Sequence, residues 1–395
     1  MKAPLKIAIY SGRVCSTTFI ERLVSGLSKS GHQVYLFGIL NRKPIRRSGV
    51  VVVGYRLRRL SKLWHLLRFG LLLWLFKRRD KQRLDAHLQQ VGKADWYSKV
   101  KYYPVLWYSP DVFHVQWAKG VSDWIWVQDF GMKLVLSLRG AHINYSPIAD
   151  AELAAMYEEY FPQVAGFHAV SKAIGLEAAQ YGAEKSRIQV VYSGLAASFL
   201  KSAASNPLKP GKNTFQILSV GRPHWIKGYS YALDACKQLV AAGFDFEYTI
   251  IGGADAIEYQ YQISDLGLDN HVRLVGQQSF DTVQEQIAEA DLMLLPSVKE
   301  GVANVVLEAM ALRTLVLSTD CGGMAEVVKP HETGFLVPIR SAKALAAAVL
   351  ALAELSETEQ EQLLDQAQEL IRQQHLESHM VSGMLGLYTS VMEAD

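Results

Sequence analysis

Short apolar runs rich in β-branched residues alternate along this chain with longer segments whose apolar positions recur at helical spacing. In the first half, KIAIYSG, QVYLFGI, VVVGY, DVFHVQW, KLVLSLRG, GFHAVS and IQVVYSG predict strands. The stretch 202–214, rich in Ser, Pro, Gly and Asn, reads as a linker. The rhythm then restarts with FQILSVGR, FEYTIIGG, HVRLVGQ, DLMLLPS, TLVLSTD and GFLVP. Runs without a polar face, separated by helices, belong to parallel strands in βαβ units. The pattern predicts an α/β protein of two Rossmann-like domains, 1–200 and 215–375, facing across a cleft. From about 341 onward the chain reads as helices ending in a polar tail. In open α/β sheets ligands sit at the carboxyl ends of the strands, so the loops that follow these runs are where chemistry is sought.

At 395 residues the chain exceeds one comfortable core, which agrees with two domains. Half its residues are hydrophobic and one fifth charged, the profile of a folded chain rather than a disordered one. Cys15, Cys236 and Cys321 lie far apart and form neither a disulfide framework nor a zinc-finger spacing. With no signal-peptide pattern and no run of ~18 apolar residues, a cytoplasmic setting is expected.

The net charge of +3 is unevenly spread. From 42 to 83 fourteen basic residues (Arg42, Lys43, Arg46, Arg47, Arg56, Arg58, Arg59, Lys62, Arg68, Lys77, Arg78, Arg79, Lys81 and Arg83) face a single acid, Asp80. Such asymmetry points to an anionic partner. Within it, KLWHLLRFGLLLWLFKRRDKQR mixes Leu, Trp and Phe with Lys and Arg, as interfacial helices do. One reading is docking to anionic lipid on the inner face of the plasma membrane. The other is a helix pair packed on its own sheet with a solvated basic face. No nucleic-acid motif accompanies the charge, so a nucleic-acid partner is not expected.

The stretch KEGVANVVLEAM, residues 299–310, sets Glu300 in the loop after a buried strand and Glu308 inside the following helix. Asn304 is placed as the helix cap, and the N–H groups of Asn304 and Val305 at the helix start suit a pyrophosphate. The glutamates would repel phosphate but accept hydrogen bonds from hydroxyls, Glu308 from a ribose diol and Glu300 from a sugar. Glu308 on a merely solvated helix face is the competing reading. In SVGRPHWIKGY, Arg222 and Lys227 follow a strand end, where they suit a diphosphate leaving group. Ordinary surface bases are the alternative there.

Together EGVANVVLEAM, DCGGMAEVV, ETGFLVP and VGRPHWIKG resemble the family 4 GT-B glycosyltransferases (group 1), in which Glu300 and Glu308 match the E-x7-E motif. The resemblance is specific over about 219–338 and weaker over 6–195. It implies two Rossmann-like domains, with a last helix, about 376–395, crossing back onto the first. It further implies a nucleotide-sugar donor, UDP favoured over GDP, no divalent metal, and retention of anomeric configuration. The acceptor would be lipid-linked or a nascent cell-surface polysaccharide. By the same resemblance Arg222 and Lys227 bind the diphosphate, Glu308 the ribose and Glu300 the transferred sugar. Gly276, Gly301, Asn304 and Val305 join them in binding substrate.

The pattern also departs from the family. Arg313, Thr314 and Leu315 intervene before VLST. SLRGAHI places Arg139 and His142 where His-Gly-x-Asp is common, with Arg139 suited to a donor phosphate, an anionic acceptor or a structural role. SGRVCSTTFIERL holds one glycine, Gly12, which with Ser16 and Thr17 would face the cleft. These departures bear on the acceptor more than the donor. HLESH (375–379) offers two histidines without a third ligand, and no GxGxxG supports a dehydrogenase. A nucleotide-sugar epimerase and a non-catalytic GT-B membrane-docking subunit are the rival functions.

Overall fold

In the computed structural model, which describes residues 4–14, 16–41, 47–203 and 214–394, the chain divides into two compact units. The first comprises Met1–Val170, Gly175–Val191 and Met380–Asp395. Its seven parallel strands are β1 (Lys6–Val14), β2 (Gln33–Leu40), β3 (Val50–Tyr55), β4 (Val112–Val115), β5 (Lys133–Leu138), β6 (Gly166–Ala169) and β7 (Ile188–Val190). They lie in the order β3-β2-β1-β4-β5-β6-β7. The second unit comprises Ser171–Ile174 and Tyr192–His379. Its strands are β8 (Phe215–Val220), β9 (Phe246–Ile251), β10 (Val272–Val275), β11 (Leu292–Leu295), β12 (Leu315–Thr319) and β13 (Phe335–Val337). They are parallel, in the order β10-β9-β8-β11-β12-β13. All thirteen sit where the apolar runs predict them, and the central strands β4, β5, β6, β11 and β12 are apolar because they are buried along nearly all their length.

The division falls earlier than the expected boundary at 200. Leu195 and Phe199 are buried in the core of the second unit. Leu195 is fastened there by its N–H donating to His375 O at 2.7 Å and its carbonyl accepting from Glu377 N at 2.9 Å. Of the expected linker, 204–213 lie outside the described residues, as do Cys15, Arg42, Lys43 and Arg46.

In both sheets the strand order reverses direction at one point, between β1 and β4 in the first unit and between β8 and β11 in the second. At such a point the loops leaving neighbouring strands diverge to opposite faces and open a crevice. The loops that carry Arg222, Lys227 and Glu300 leave β8 and β11, at the second of these points.

The C-terminal helix Glu377–Glu393 joins the first unit through Met380, Val381, Met384, Leu387, Tyr388 and Val391, which share a core with Ile7, Ile9, Leu23 and Val34. A buried polar chain anchors it. Tyr388 Oη lies 2.7 Å from His114 Nδ1, His114 Nε2 2.8 Å from Ser137 Oγ, Ser137 Oγ 2.8 Å from His168 Nδ1, and His168 Nε2 2.9 Å from Val191 O. With both rings neutral and the terminal carbonyl able only to accept, the direction of every bond follows: Tyr388 donates to His114, His114 to Ser137, Ser137 to His168, and His168 to Val191. Burial pushes His168 down to about 3 and His114 well below its ordinary value.

Because the folded values lie below the unfolded one, the unfolded chain takes up protons first as pH falls. Stability is then complete above about pH 7 and declines as pH drops through the unfolded value near 6.5. Each histidine is expected to withdraw about 1 kcal/mol between pH 7.5 and 5.5. Urea unfolding at those two pH values checks this. His168→Gln keeps a donor for Val191 and should shrink the drop by that amount, and an undiminished drop would count against the assignment.

Candidate active site

In the second unit β8 ends at Val220, and the chain turns through Gly221 and Arg222 into one 3-10 turn, Trp225–Lys227. His224 opens that turn, its Nδ1 accepting from Ile226 N at 3.3 Å. The turn presents Lys227, whose Nζ donates to Glu300 Oε1 at 2.6 Å. Both side chains are about one fifth exposed, at 20% and 18%, so the pair is partly desolvated yet reachable from solvent. Ser297 Oγ donates to the same carboxylate oxygen at 3.1 Å and fixes its orientation. Arg222 stands exposed, without a hydrogen bond or ion pair to its guanidinium among the described residues.

Glu300 follows β11 as Arg222 follows β8, which places both at the switch point of the sheet. The two loops are tied by Val298 N donating to Ile226 O at 2.7 Å. They approach so closely that side chains are excluded. A Cβ on Gly228, at φ +66°, would lie 1.9 Å from Pro296 O. A third loop, after β12, comes as near: a Cβ on Gly322, at φ +61°, would lie 1.9 Å from Glu300 O. Only glycine meets both demands, left-handed backbone and no Cβ.

The helix after the loop spans Asn304–Ala311. Asn304 is not its cap, as the sequence suggests, but its first residue. The cap position is Ala303, extended and buried, with its N–H on Met324 Sδ at 3.4 Å. Burial of Ala303 sets the start of the helix, and Asn304 is left exposed. The first backbone bonds reach Ala303 O from Val306 and Leu307, so the N–H groups of Asn304 and Val305 remain available, as expected at a helix start. Asn304, Val305 and Glu308 are the helix positions not fully buried before the last turn, whereas Val306, Leu307, Ala309 and Met310 enter the core. Glu308 thus shares a face with the free helix end, and Gly301 is buried beneath the loop. Gly276 follows the edge strand β10, separated from β8 by β9. Cys321 is buried beside them, and its thiol is pushed up to about 12 by burial, so it is no nucleophile at neutral pH.

The strand ends of the first unit carry a second cluster. Arg139 follows β5 and stacks over Phe19, guanidinium carbon to ring centroid 4.2 Å, while its Nη2 donates to Gln116 Oε1 at 3.4 Å. Phe19 meets Trp117 at 6.3 Å between centroids, and Trp117 meets His142 at 5.5 Å. Burial and the charge of Lys119 hold His142 below its ordinary value. At the end of β1, Gly12 adopts φ +83° with open space beside it. The Ser16 N–H donates to Glu21 Oε1 at 3.2 Å, and Glu21 in turn pairs with Arg47 at 2.9 Å. Arg139 and His142 are thus connected through the Phe19 and Trp117 rings. The sequence reading missed Gln116, Phe19 and Ser297. The polar Gln116 at the carboxyl end of DVFHVQW was the one visible signal among them.

No group of three or more His, Cys, Asp or Glu among the described residues is arranged to hold a metal ion.

Residues 201–370 match the family "Glycosyl transferases group 1". Over 163 residues the chain is 37% identical to an amylovoran biosynthesis glycosyltransferase of Erwinia amylovora, covering 39% of this chain and 38% of that one. Over 172 residues it is 33% identical to a putative colanic acid biosynthesis glycosyltransferase of Escherichia coli, 42% of each chain. These matches span about two fifths of the relatives' own length. Among solved structures, Anabaena HepE in complex with UDP-glucose superposes with a TM-score of 0.70 at 17% identity, over 98% of this chain and 100% of that one. A sucrose-phosphate synthase from Thermosynechococcus elongatus superposes with a TM-score of 0.74, also at 17% identity, over 99% and 100%. The fold is that of the GT-B glycosyltransferases. The part matched by the family covers every second-unit loop described above, from Arg222 to Gly322.

Proposed function

We propose that this protein is a retaining glycosyltransferase that moves a hexosyl group from a nucleotide diphosphate sugar to a lipid-linked or nascent cell-surface polysaccharide acceptor. The observation that carries the reading is the Lys227–Glu300 pair at the β8/β11 switch point, beside exposed Arg222 and a free helix start. Two cations and two N–H groups match a diphosphate, and two carboxylates match hydroxyls on either side of it. The family match over residues 201–370 supports the same assignment.

In this mechanism Arg222 and Lys227 stabilise the charge that grows on the diphosphate as its bond to the anomeric carbon breaks. They do so in the place a divalent ion takes elsewhere, so activity is expected to persist in EDTA. A phosphate oxygen of the departing group accepts the proton of the attacking hydroxyl, which arrives on the same face. Glu300 orients the sugar, held by Lys227 and Ser297. Glu308 accepts from the ribose diol. UDP is favoured as the nucleotide, and HepE, solved with UDP-glucose, supports that choice.

Glu308→Gln keeps the shape of the side chain but loses the charged acceptor, so donor affinity should fall about ten-fold or more. Thermal stabilisation by UDP, GDP, ADP and their sugar conjugates, with EDTA present, tests both the donor and this residue, since a ligand of the folded state raises Tm. A selective rise with one nucleotide, weakened in Glu308→Gln, is expected. Unchanged affinity in the variant would break the ribose assignment.

The helix Arg59–Phe76 supports a peripheral membrane location. Leu60, Trp64, Leu67, Leu71 and Trp74 recur every three or four residues on one face and are 72%, 73%, 56%, 57% and 54% exposed. The other face is anchored by buried Phe69 and Leu73. Arg59 and Arg68 on the same helix, with Arg56, Arg58, Arg78 and Arg79 near its ends, add positive charge to the segment that carries the row. No helix of the described residues is long and apolar enough to cross a membrane. An apolar ridge in a basic segment fits the boundary between acyl chains and anionic headgroups.

A further inference from the structure

Three buried polar atoms of the first-unit cluster have no partner: Gln116 Nε2, Arg139 Nε and His142 Nδ1. Unmade bonds of this kind are costly where water is excluded, so proteins rarely leave several together without a ligand or a water to complete them. Gln116 is fully buried, and its Oε1 already accepts from Arg139, which leaves its amide N–H groups as the unpaired end. Arg139 offers five N–H donors and uses one, in a long bond of 3.4 Å. Among the described residues no carboxylate pairs with it. Its other neighbours, Phe19 and the neutral His114–Ser137–His168 chain, carry no negative charge. A partly buried guanidinium without a counter-ion is an unsatisfied charge. Asn144 Oδ1 is also unpartnered, but it lies two residues past His142, on the other side of that turn, and is not counted.

We propose that Arg139 and Gln116 form a subsite for an anionic group of the sugar acceptor, a carboxylate or a phosphate. The fork of Arg139 receives two oxygens of the anion, and the Gln116 amide donates to one of them. Trp117 and Phe19 supply flat apolar walls against which a sugar ring packs. The subsite rests on the glycosyl-transfer reading for its occupant and on geometry alone for its chemistry. The acceptor it selects is an acidic sugar, a uronic acid or a sugar phosphate, rather than a neutral one.

The test is thermal stabilisation of the full chain by glucuronate, glucose 6-phosphate and glucose at matched ionic strength, with UDP in parallel. Glucuronate or glucose 6-phosphate should raise Tm where glucose does not. Arg139→Gln should weaken that response at least ten-fold while the UDP response persists. Gln116→Glu places a carboxylate where Arg139 already reaches. It should raise Tm without ligand and abolish the response to the acidic sugars, which a merely structural Gln116 would not do. Should Arg139→Gln fail to fold, Arg139→Lys keeps the charge without the fork and should weaken binding in the same direction.

Acidic sugars no better than glucose, or equal responses in all variants, would overturn the subsite. Loss of the UDP response in Arg139→Gln would overturn the acceptor assignment and place the guanidinium on the donor diphosphate. A wild-type protein that answers to glucuronate and not to UDP would defeat the nucleotide-sugar reading and leave the subsite standing.

Discussion

Lys227→Met is expected to lower kcat by about 10²–10³-fold, the cost of removing one preorganised group aimed at developing charge. Methionine preserves much of the length and apolar stem of lysine, so the 3-10 turn Trp225–Lys227 and its backbone bond to Val298 should survive. What disappears is the ammonium 2.6 Å from Glu300, leaving Ser297 as the remaining partner of that oxygen. The stability change should be about 1 kcal/mol or less, because a pair still reachable from solvent contributes little to folding. Activity and stability therefore separate, and that separation is the content of the prediction.

The measurement is steady-state transfer or donor hydrolysis alongside urea unfolding. Combining Lys227→Met with Glu300→Gln should cost less than the sum of the single changes, since the two groups act as one unit. A loss under about ten-fold in Lys227→Met would remove the lysine from catalysis and reduce the pair to a tie between loops.

The second large effect concerns the exposed ridge. Trp64→Glu with Leu71→Glu is expected to reduce partition onto vesicles of phosphatidylglycerol and phosphatidylcholine by about 10²-fold or more. Burying a large apolar side chain contributes about 1.5–3 kcal/mol, and a basic residue near an anionic surface about 1 kcal/mol. The double change removes two anchors and adds two charges that the surface repels. Both positions are well exposed, so the folded core should not notice. Sedimentation with vesicles at low and high salt reads the effect, and the UDP response should be unaltered. Salt should weaken binding of the parent chain by screening its basic residues. Equal partition of parent and variant would end the membrane reading. Dimerisation in analytical ultracentrifugation, lost in the variant, would assign the ridge to a second copy of this chain instead.

Much of this molecule was legible before its fold was known. Parallel strands covered on both faces demand apolar runs, and the central strands β4, β5, β6, β11 and β12 stood out for that reason. Glu300, Glu308, Arg222 and Lys227 could be singled out as candidates because chemistry in such sheets gathers after strand ends, a position visible in the order of residues. The unit boundary was less legible. Leu195 and Phe199 look like any apolar pair, and only their burial in the second core shows which unit holds them.

By itself, then, the sequence determined the class of fold, the strands and the loops in which polar side chains could act. All are local properties of period and composition. Only the tertiary structure decided which of those side chains meet. Lys227 and Glu300 are 73 positions apart, Gln116 and Arg139 are 23, and Tyr388 finds His114 across 274. Such pairings depend on the order of strands in the sheet and on where each loop comes to rest. The start of the helix after Glu300 shows the same division, because burial of Ala303 rather than the capping preference of Asn304 placed it. Local preferences of about 1 kcal/mol yield where packing a core is worth more.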